Sequence, residues 1–233
     1  MKIFPKALSL IESLYTEFLV VCAGLSSLSA TLLAVRFFVA DSIHYGFLAW
    51  NLFLAWLPAL LSWRIIRYTS KKNLKPSVIF WLIAWVLFLP NTFYIVTDFI
   101  HLDRLDGISK LFDACLVFTF SLTGFALGIA SMLAVHVWLE KYISRQKAIL
   151  SIGGVILLSS FAIYLGRYLR WNSWDVVFNP FGLLFDVSDR VINPSSHPQT
   201  FSTTLLFFVV ISSIYASVRF YGIRLLRLIQ KVV

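Results

Sequence analysis

Six apolar stretches, each long enough to cross a lipid bilayer, constrain this chain more than any other feature. They cover residues 18–40, 45–66, 77–98, 112–139, 148–169 and 202–223, and charges, prolines or polar clusters bound each of them. Roughly 20 apolar residues in an α-helix span a hydrocarbon core of about 30 Å. The alternating polarity of barrel strands is absent from these stretches. The sequence therefore predicts an all-α, polytopic transmembrane helical bundle with about six spans, forming one membrane-embedded domain over residues 1–233.

The composition excludes a water-soluble globule. Hydrophobic residues make up 59% of the 233 positions and charged residues only 13%, which is too little polar surface to cover a soluble fold. The formal net charge of +9 does not indicate nucleic-acid binding, because the cations lie on short connections and no basic domain is present to grip phosphates. Membrane lipids are the expected partners, and the expected location is the cell membrane.

The positions of lysine and arginine predict the orientation. The end of the second span and the connection to the third contain Arg64, Arg67, Lys71, Lys72 and Lys75, whereas the connection between the first two spans contains neither lysine nor arginine. Connections rich in these residues usually remain in the cytoplasm, so both termini are predicted to be cytoplasmic. We further expect Arg36, inside the first span, to extend outward to the membrane surface.

A polar stripe lies at the predicted outer end of the third span. Asn91, Tyr94, Asp98 and His101 fall within an arc of about 80° if the chain stays helical at 100° per residue. Four hydrogen-bonding side chains on one helix face favour contact with protein or ligand over contact with lipid.

A second stripe follows the fifth span. Arg167, Arg170, Trp171 and Trp174 fall within about 100° on the same reckoning, with Asn172 and Asp175 beside them. Because an ionised group in lipid is costly, we expect Asp98 to meet Arg167 or Arg170. One interpretation is a buried salt bridge that fixes the register of the third and fifth spans. The other is a ligand or catalytic pocket, since the stripes hold more polar groups than one pair requires.

The chemistry of the stripes leaves three hypotheses open. Two guanidiniums beside indole rings favour an anionic lipid or glycolipid headgroup, bound by a carrier-like protein. Alternatively, Asp98 and His101 are catalytic residues of an outward-facing hydrolase or transferase. The third hypothesis is a structural membrane subunit with a buried ion pair. A divalent metal is a weak possibility, with Asp98, His101 and Asp175 as candidate ligands, and no other cofactor is indicated.

Three further patterns concern packing and the membrane surface. Gly124 and Gly128 form a G-x-x-x-G spacing, which favours close helix packing inside the chain and, as an alternative, a homo-oligomer. Residues 176–200 form an outer loop with helical spacing of apolar residues, which predicts a surface helix acting as a lid or an anchor. Residues 7–17 predict an interfacial helix on the inner side.

Two stretches carry a resemblance to a known family. "LFLPNTFYIVTDFIHL" at 87–102 and "LGRYLRWNSWD" at 165–175 resemble the signature segments of an uncharacterised family of bacterial membrane proteins, domain of unknown function 1361. Their order and spacing are similar along nearly the whole chain. The resemblance implies a multi-pass bacterial membrane protein, and it implies no reaction, cofactor or catalytic residue.

Overall fold

The fold is predominantly helical in the part of the chain that the computed structural model describes, residues 3–40, 43–68, 76–102 and 109–232. The α-helices in these ranges are α1 (Ile3–Ala40), α2 (Phe47–Ile66), α3 (Pro76–Phe88), α4 (Pro90–Tyr94), α5 (Lys110–Leu139), α6 (Arg145–Tyr168), α7 (Asp175–Phe178), α8 (Pro180–Ile192) and α9 (Pro198–Val232). Two 3₁₀ segments, Ile95–His101 and Pro194–Ser196, complete the described elements, which include no strand.

Six segments among the described residues are long and apolar enough to cross a membrane. They are Glu12–Ala40, Phe47–Ile66, Pro76–His101, Lys110–Leu139, Arg145–Tyr168 and Pro198–Arg224. The predicted all-α membrane fold with about six spans is therefore confirmed. The placement of both termini in the cytoplasm stays a prediction.

Two predicted surface segments are helical. Residues 7–17 and the first predicted span form one continuous helix, α1. The segment 176–200 contains α8 and most of the shorter helix α7, which begins at Asp175. The placement of both segments at membrane surfaces stays a prediction.

The chain divides into two compact units, Met1–Tyr142 and Ile143–Val233, called unit 1 and unit 2 below. In unit 1, α5 packs against α1, α2 and α4. Buried side chains from α2 and α5, among them Leu48, Ala55, Leu116 and Phe120, form its core. In unit 2, α6 packs against α9. Apolar side chains such as Leu205 and Leu206 on α9 are exposed, as expected for a helix that faces lipid.

The two glycines of the G-x-x-x-G spacing contact the chain's own α4 region. A Cβ atom added at Gly124 would lie 2.9 Å from the Thr92 carbonyl oxygen, and one added at Gly128 would lie 2.7 Å from the Phe93 ring and overlap the Thr92 hydroxyl. The absent side chains thus let α5 approach the backbone of α4 closely. Packing inside the chain is the role seen for this face, and a homo-oligomer stays a prediction.

Polar side chains also join the helices of unit 1. The Trp85 indole N–H donates to the Ser131 hydroxyl at 2.6 Å, and Ser131 donates to the Pro58 carbonyl oxygen at 3.3 Å, so α3, α5 and α2 are connected. Two residues before Pro58 on α2, the Trp56 indole donates to Ser26 on α1 at 3.0 Å. Since the membrane core offers no water as a partner, such pairs satisfy these groups within the protein.

Candidate functional site

The segment that carries the first polar stripe begins at a break in the helix. Pro90 has no N–H to donate, and α3 ends at Phe88 just before it. Side chains then bond the nearby backbone: Asn91 Nδ2 donates to the Phe88 carbonyl oxygen at 2.9 Å, and Thr92 Oγ1 donates to the Leu89 carbonyl oxygen at 2.7 Å. Leu89 and Thr92 are fully buried. The backbone at this break therefore lies inside protein, which a membrane protein requires of irregular segments.

Beyond α4 the chain stays helical but tightens into the 3₁₀ segment Ile95–His101. Three residues per turn place Asp98 and His101 on the same face, one turn apart. Tyr94 and Asn91 lie one and two turns earlier, both half-buried. The segment thus brings together two of the predicted catalytic or metal-binding side chains.

Asp98 is 1% exposed, and its carboxylate accepts a hydrogen bond from Asn51 Nδ2 on α2 at 2.8 Å. A buried carboxylate needs donors of this kind because it has lost its water. Asn51 thus connects α2 to the 3₁₀ segment. His101 lies nearby, with its ring centroid 5.2 Å from that of Phe47 and its carbonyl oxygen accepting from the Tyr45 hydroxyl at 3.2 Å.

A buried ion pair lies in the same unit. Arg36 Nε donates to Asp113 Oδ1 at 2.7 Å, and Arg36 Nη2 donates to Asp113 Oδ2 at 3.3 Å. The side chains are 1% and 4% exposed, and the guanidinium also lies over the Tyr45 ring at 5.1 Å. The expectation that Arg36 reaches outward to the surface is therefore wrong, because a carboxylate within the bundle binds the Nε and Nη2 edge of its guanidinium.

The second polar stripe lies in unit 2, where α6 ends. Arg167 is half-buried in the last turn of α6, and Arg170 is exposed just beyond it. Arg170 has φ 60°, the left-handed region that glycine usually occupies after a helix. This conformation turns the chain so that the Trp171 N–H donates back to the Leu165 carbonyl oxygen at 3.2 Å.

The residues after Arg170 form a local turn. The Asp175 carboxylate accepts from the backbone N–H of Asn172 at 2.7 Å and from Asn172 Nδ2 at 3.3 Å. The Trp174 carbonyl oxygen accepts the backbone N–H of Val177 at 2.9 Å. Asp175 therefore organises the start of α7. Among the described residues, no group of three or more histidine, cysteine, aspartate and glutamate side chains is arranged to hold a metal ion.

Trp171 is tied to the polar face of α8, which consists of Asp186, Asp189 and Arg190. The indole Nε1 donates to Asp186 Oδ2 at 2.7 Å, and Arg190 Nη1 donates to Asp186 Oδ1 at 3.1 Å. Arg190 Nη1 also lies 3.5 Å from Asp189 Oδ2. The two carboxylates and the Arg190 guanidinium thus pair with one another within unit 2.

Asp189 closes the end of α8. Its Oδ1 accepts from Asn193 Nδ2 at 2.8 Å, and its Oδ2 lies 2.8 Å from His197 Nε2. The hydrogen bond from Asn193 is the main reason that the pKa of Asp189 is lowered, followed by the His197 contact. The sequence placed Asp186, Asp189 and Arg190 on one side of the predicted surface helix but did not predict how they pair, although the i, i+4 spacing of Asp186 with Arg190 and of Asp189 with Asn193 was visible.

The apolar face of α8, formed by Phe181, Leu184, Phe185, Val191 and Ile192, points away from these contacts. Its side chains are between 62% and 83% exposed. The polarity of the helix is thus inverted relative to a surface helix of a soluble protein, which buries its apolar face and exposes its polar one.

Comparison with known proteins was made by family, by curated sequence and by solved structure. The family described as "Protein of unknown function (DUF1361)" matches residues 50–214. The chain belongs to the DUF1361 family. No curated protein and no solved structure matches this DUF1361 protein.

The DUF1361 match covers both polar stripes and only part of the buried ion pair. Asn51, Asp98, Asp113 and Arg170 lie inside the matched range, whereas Arg36 lies before it. The sequence offered one signal for the missed pair, since Asp113 begins the fourth span at the membrane side where the first span ends. The pocket predicted between the two stripes stays a prediction.

Proposed function

We propose that this multi-pass membrane protein binds an anionic lipid or glycolipid headgroup at the membrane surface beside α8, with Arg170 as the main cationic contact. We place this surface on the outer side, in keeping with the distribution of lysine and arginine along the chain.

The inverted polarity of α8 is the observation that carries the proposal. Its polar face is occupied by Trp171 and by its own Asp186, Asp189 and Arg190, while its apolar face is exposed. A helix of this kind lowers its free energy by laying the apolar face into the boundary between headgroups and acyl chains. Because α7 and α8 connect two candidate spans, α6 and α9, we expect α8 to lie at the depth of the lipid headgroups.

Arg170 has the properties of a headgroup contact at that depth. It is exposed, and within the described residues of unit 2 its guanidinium has no carboxylate partner. The side chain occupies a backbone position where glycine would be less strained, and strained positions of this kind concentrate at binding sites. A guanidinium binds phosphate or carboxylate oxygens through two parallel hydrogen bonds, and the nearby indoles of Trp171 and Trp174 are suited to the interface.

The test is native mass spectrometry of the detergent-purified protein loaded with phosphatidylglycerol, with phosphatidylcholine as the neutral comparison. The variants are Arg170→Ala and Arg170→Gly, and the matched control is Arg145→Gln, which removes an exposed arginine at the start of α6. We expect both Arg170 variants to retain about tenfold less phosphatidylglycerol, because a charge-assisted hydrogen bond is lost. The Arg145 variant should retain as much as the wild type.

Two outcomes oppose the proposal. Equal retention by wild type and both Arg170 variants would exclude Arg170 as the contact. If the Arg145 variant loses as much phosphatidylglycerol as the Arg170 variants, the retention depends on the overall surface charge and not on Arg170. A panel of anionic glycolipids in the same assay identifies the headgroup class.

The second candidate function of the protein concerns Asp98, for which the observations favour a structural role. Its carboxylate is enclosed and accepts from Asn51, so it joins the 3₁₀ segment to α2. A hydrolase or transferase would need Asp98 to reach a substrate. If Asp98→Asn keeps the fold but loses a lipid-hydrolysis activity, the enzyme hypothesis is favoured. If Asp98→Asn loses only stability, the structural role is favoured.

A further inference from the structure

A cleft lies in unit 1 where α2 ends and α3 begins, and it encloses about 230 Å³. Its floor is apolar, since Ile65 and Val78 are 1% and 2% exposed. Its rim carries Arg64, Ser77 and Trp81, which are polar or aromatic. An apolar floor under a cationic rim is typical of a site that holds an amphiphilic, negatively charged molecule.

The two arginines of the cleft differ in their partners. Arg67 Nε lies 3.0 Å from Glu12 Oε1, and its guanidinium lies over the Trp63 ring at 4.5 Å, so its charge is compensated. The Arg64 guanidinium lies 5.9 Å from the Trp81 ring centroid, and no carboxylate within the described ranges pairs with it. The indole orients Arg64 at the rim and leaves its hydrogen-bond donors available for an anion.

We propose that this cleft binds a phosphate group, and that its source is the headgroup of an anionic membrane lipid. The planar donors of Arg64 match two phosphate oxygens, and the Ser77 hydroxyl supplies a further hydrogen bond. The volume is below the roughly 300–1,000 Å³ of sites for drug-sized ligands, so it accommodates a phosphate and its glycerol link with the acyl chains outside.

The position and the local charge support a lipid as the source. The cleft lies at the ends of two candidate spans, where headgroup phosphates are concentrated. The connection between α2 and α3 contains Lys71, Lys72 and Lys75 in its sequence, and an anionic leaflet attracts lysines that follow a membrane span. The cleft shares no residue with the surface beside α8, so either site can exist without the other.

The experiment compares wild type with Arg64→Gln in nanodiscs of phosphatidylcholine that contain a minor fraction of phosphatidylglycerol. After release into detergent, native mass spectrometry counts the phosphatidylglycerol molecules that remain bound. We expect Arg64→Gln to retain about tenfold less, since the bidentate contact is lost. Arg145→Gln is the matched control, and Arg170→Gly reports the site beside α8 separately.

A second variant separates binding from folding. Ser77→Trp fills the cleft while both arginines remain, so it should lose the lipid with an unchanged melting temperature. Inorganic phosphate, added to lipid-free wild type, tests the other source of the same chemistry. If phosphate raises the melting temperature of the wild type and Arg64→Gln abolishes this rise, the cleft is a phosphate site. If the wild type in addition retains no phosphatidylglycerol, the ligand is the free ion.

The proposal is overturned if Arg64→Gln and Ser77→Trp both retain phosphatidylglycerol as the wild type does and phosphate leaves the melting temperature unchanged. It is also overturned if Arg145→Gln loses as much lipid as Arg64→Gln, because the binding would then depend on overall charge.

Discussion

Arg36 and Asp113, 77 positions apart in the sequence, form a bidentate ion pair that joins α1 to α5 inside unit 1. Removing one partner leaves the other charge buried, so Asp113→Leu should lower the free energy of unfolding by about 3–5 kcal/mol. Replacing both residues by leucine should restore most of that loss. Unfolding by sodium dodecyl sulfate in mixed micelles measures both changes. A double variant as unstable as the single one would show that the charges, rather than the space they fill, are required.

Gly128 on α5 provides a second prediction. A methyl group there meets the Phe93 ring at 2.7 Å, so Gly128→Ala should destabilise unit 1 by about 1–3 kcal/mol through overpacking. Gly154→Ala on α6 is the matched control, since nothing lies within 4 Å of its added Cβ. The control should be neutral or more stable by up to about 1 kcal/mol, because alanine favours helix. Thermal unfolding in detergent compares the two, and equal effects would contradict the packing argument.

Arg170 allows backbone strain to be separated from charge. Its φ of 60° costs a non-glycine residue roughly 1 kcal/mol, so Arg170→Gly should raise the free energy of unfolding by about that amount. Arg170→Ala removes the same charge but keeps the strain, and it should leave stability nearly unchanged. The difference between the two melting temperatures is the decisive measurement. The same gain in both variants would assign the effect to the lost side chain.

Asp189 should make the stability of the α8 region depend on pH. Its pKa in the folded protein is lowered, first by the Asn193 hydrogen bond. Folding therefore gains stability above the usual aspartate pKa of about 4, and that gain is lost as the pH falls through the lower folded value. Asp189→Asn should lower the melting temperature at neutral pH, and its difference from wild type should vanish at strongly acidic pH. A difference independent of pH would contradict this assignment.

Asn51 and Asp98 should be energetically coupled. Asn51→Leu removes a donor from an enclosed carboxylate and should cost about 1–3 kcal/mol, whereas the same change in an Asp98→Leu background should cost much less. A double-mutant cycle on unfolding free energies measures the coupling. Additive effects would mean that Asp98 is satisfied mainly by other groups.

The helical membrane fold could be predicted from sequence because each span is a local property. The run of apolar residues in α5, for example, is long enough by itself to indicate a helix that crosses a bilayer. The break at Pro90 was equally visible, since proline alone removes a backbone donor. These features depend on neighbours in sequence and need no knowledge of packing.

The contacts of the site could not be predicted, because they join residues far apart in sequence. The hydrogen bond from Asn51 on α2 to Asp98 joins residues 47 positions apart, and no local pattern pairs them. Arg36 was assigned to the surface because an isolated arginine at the edge of a span usually extends there, and only the position of α5 places Asp113 beside it. The 3₁₀ turn after Tyr94 also has no sequence signal, and at three residues per turn it aligns Asp98 and His101 more closely than an α-helix would.

The Arg36–Asp113 pair affects how this protein inserts into the membrane during translation. Arg36 is synthesised 77 residues before the carboxylate that neutralises it, an interval of about 4–15 s at bacterial-to-eukaryotic translation rates. During that interval a charge that costs a few kcal/mol in lipid has no Asp113 to pair with. The first helix is therefore expected to stay near the water-filled insertion channel, or to sit shallowly in the bilayer, until the start of α5 emerges.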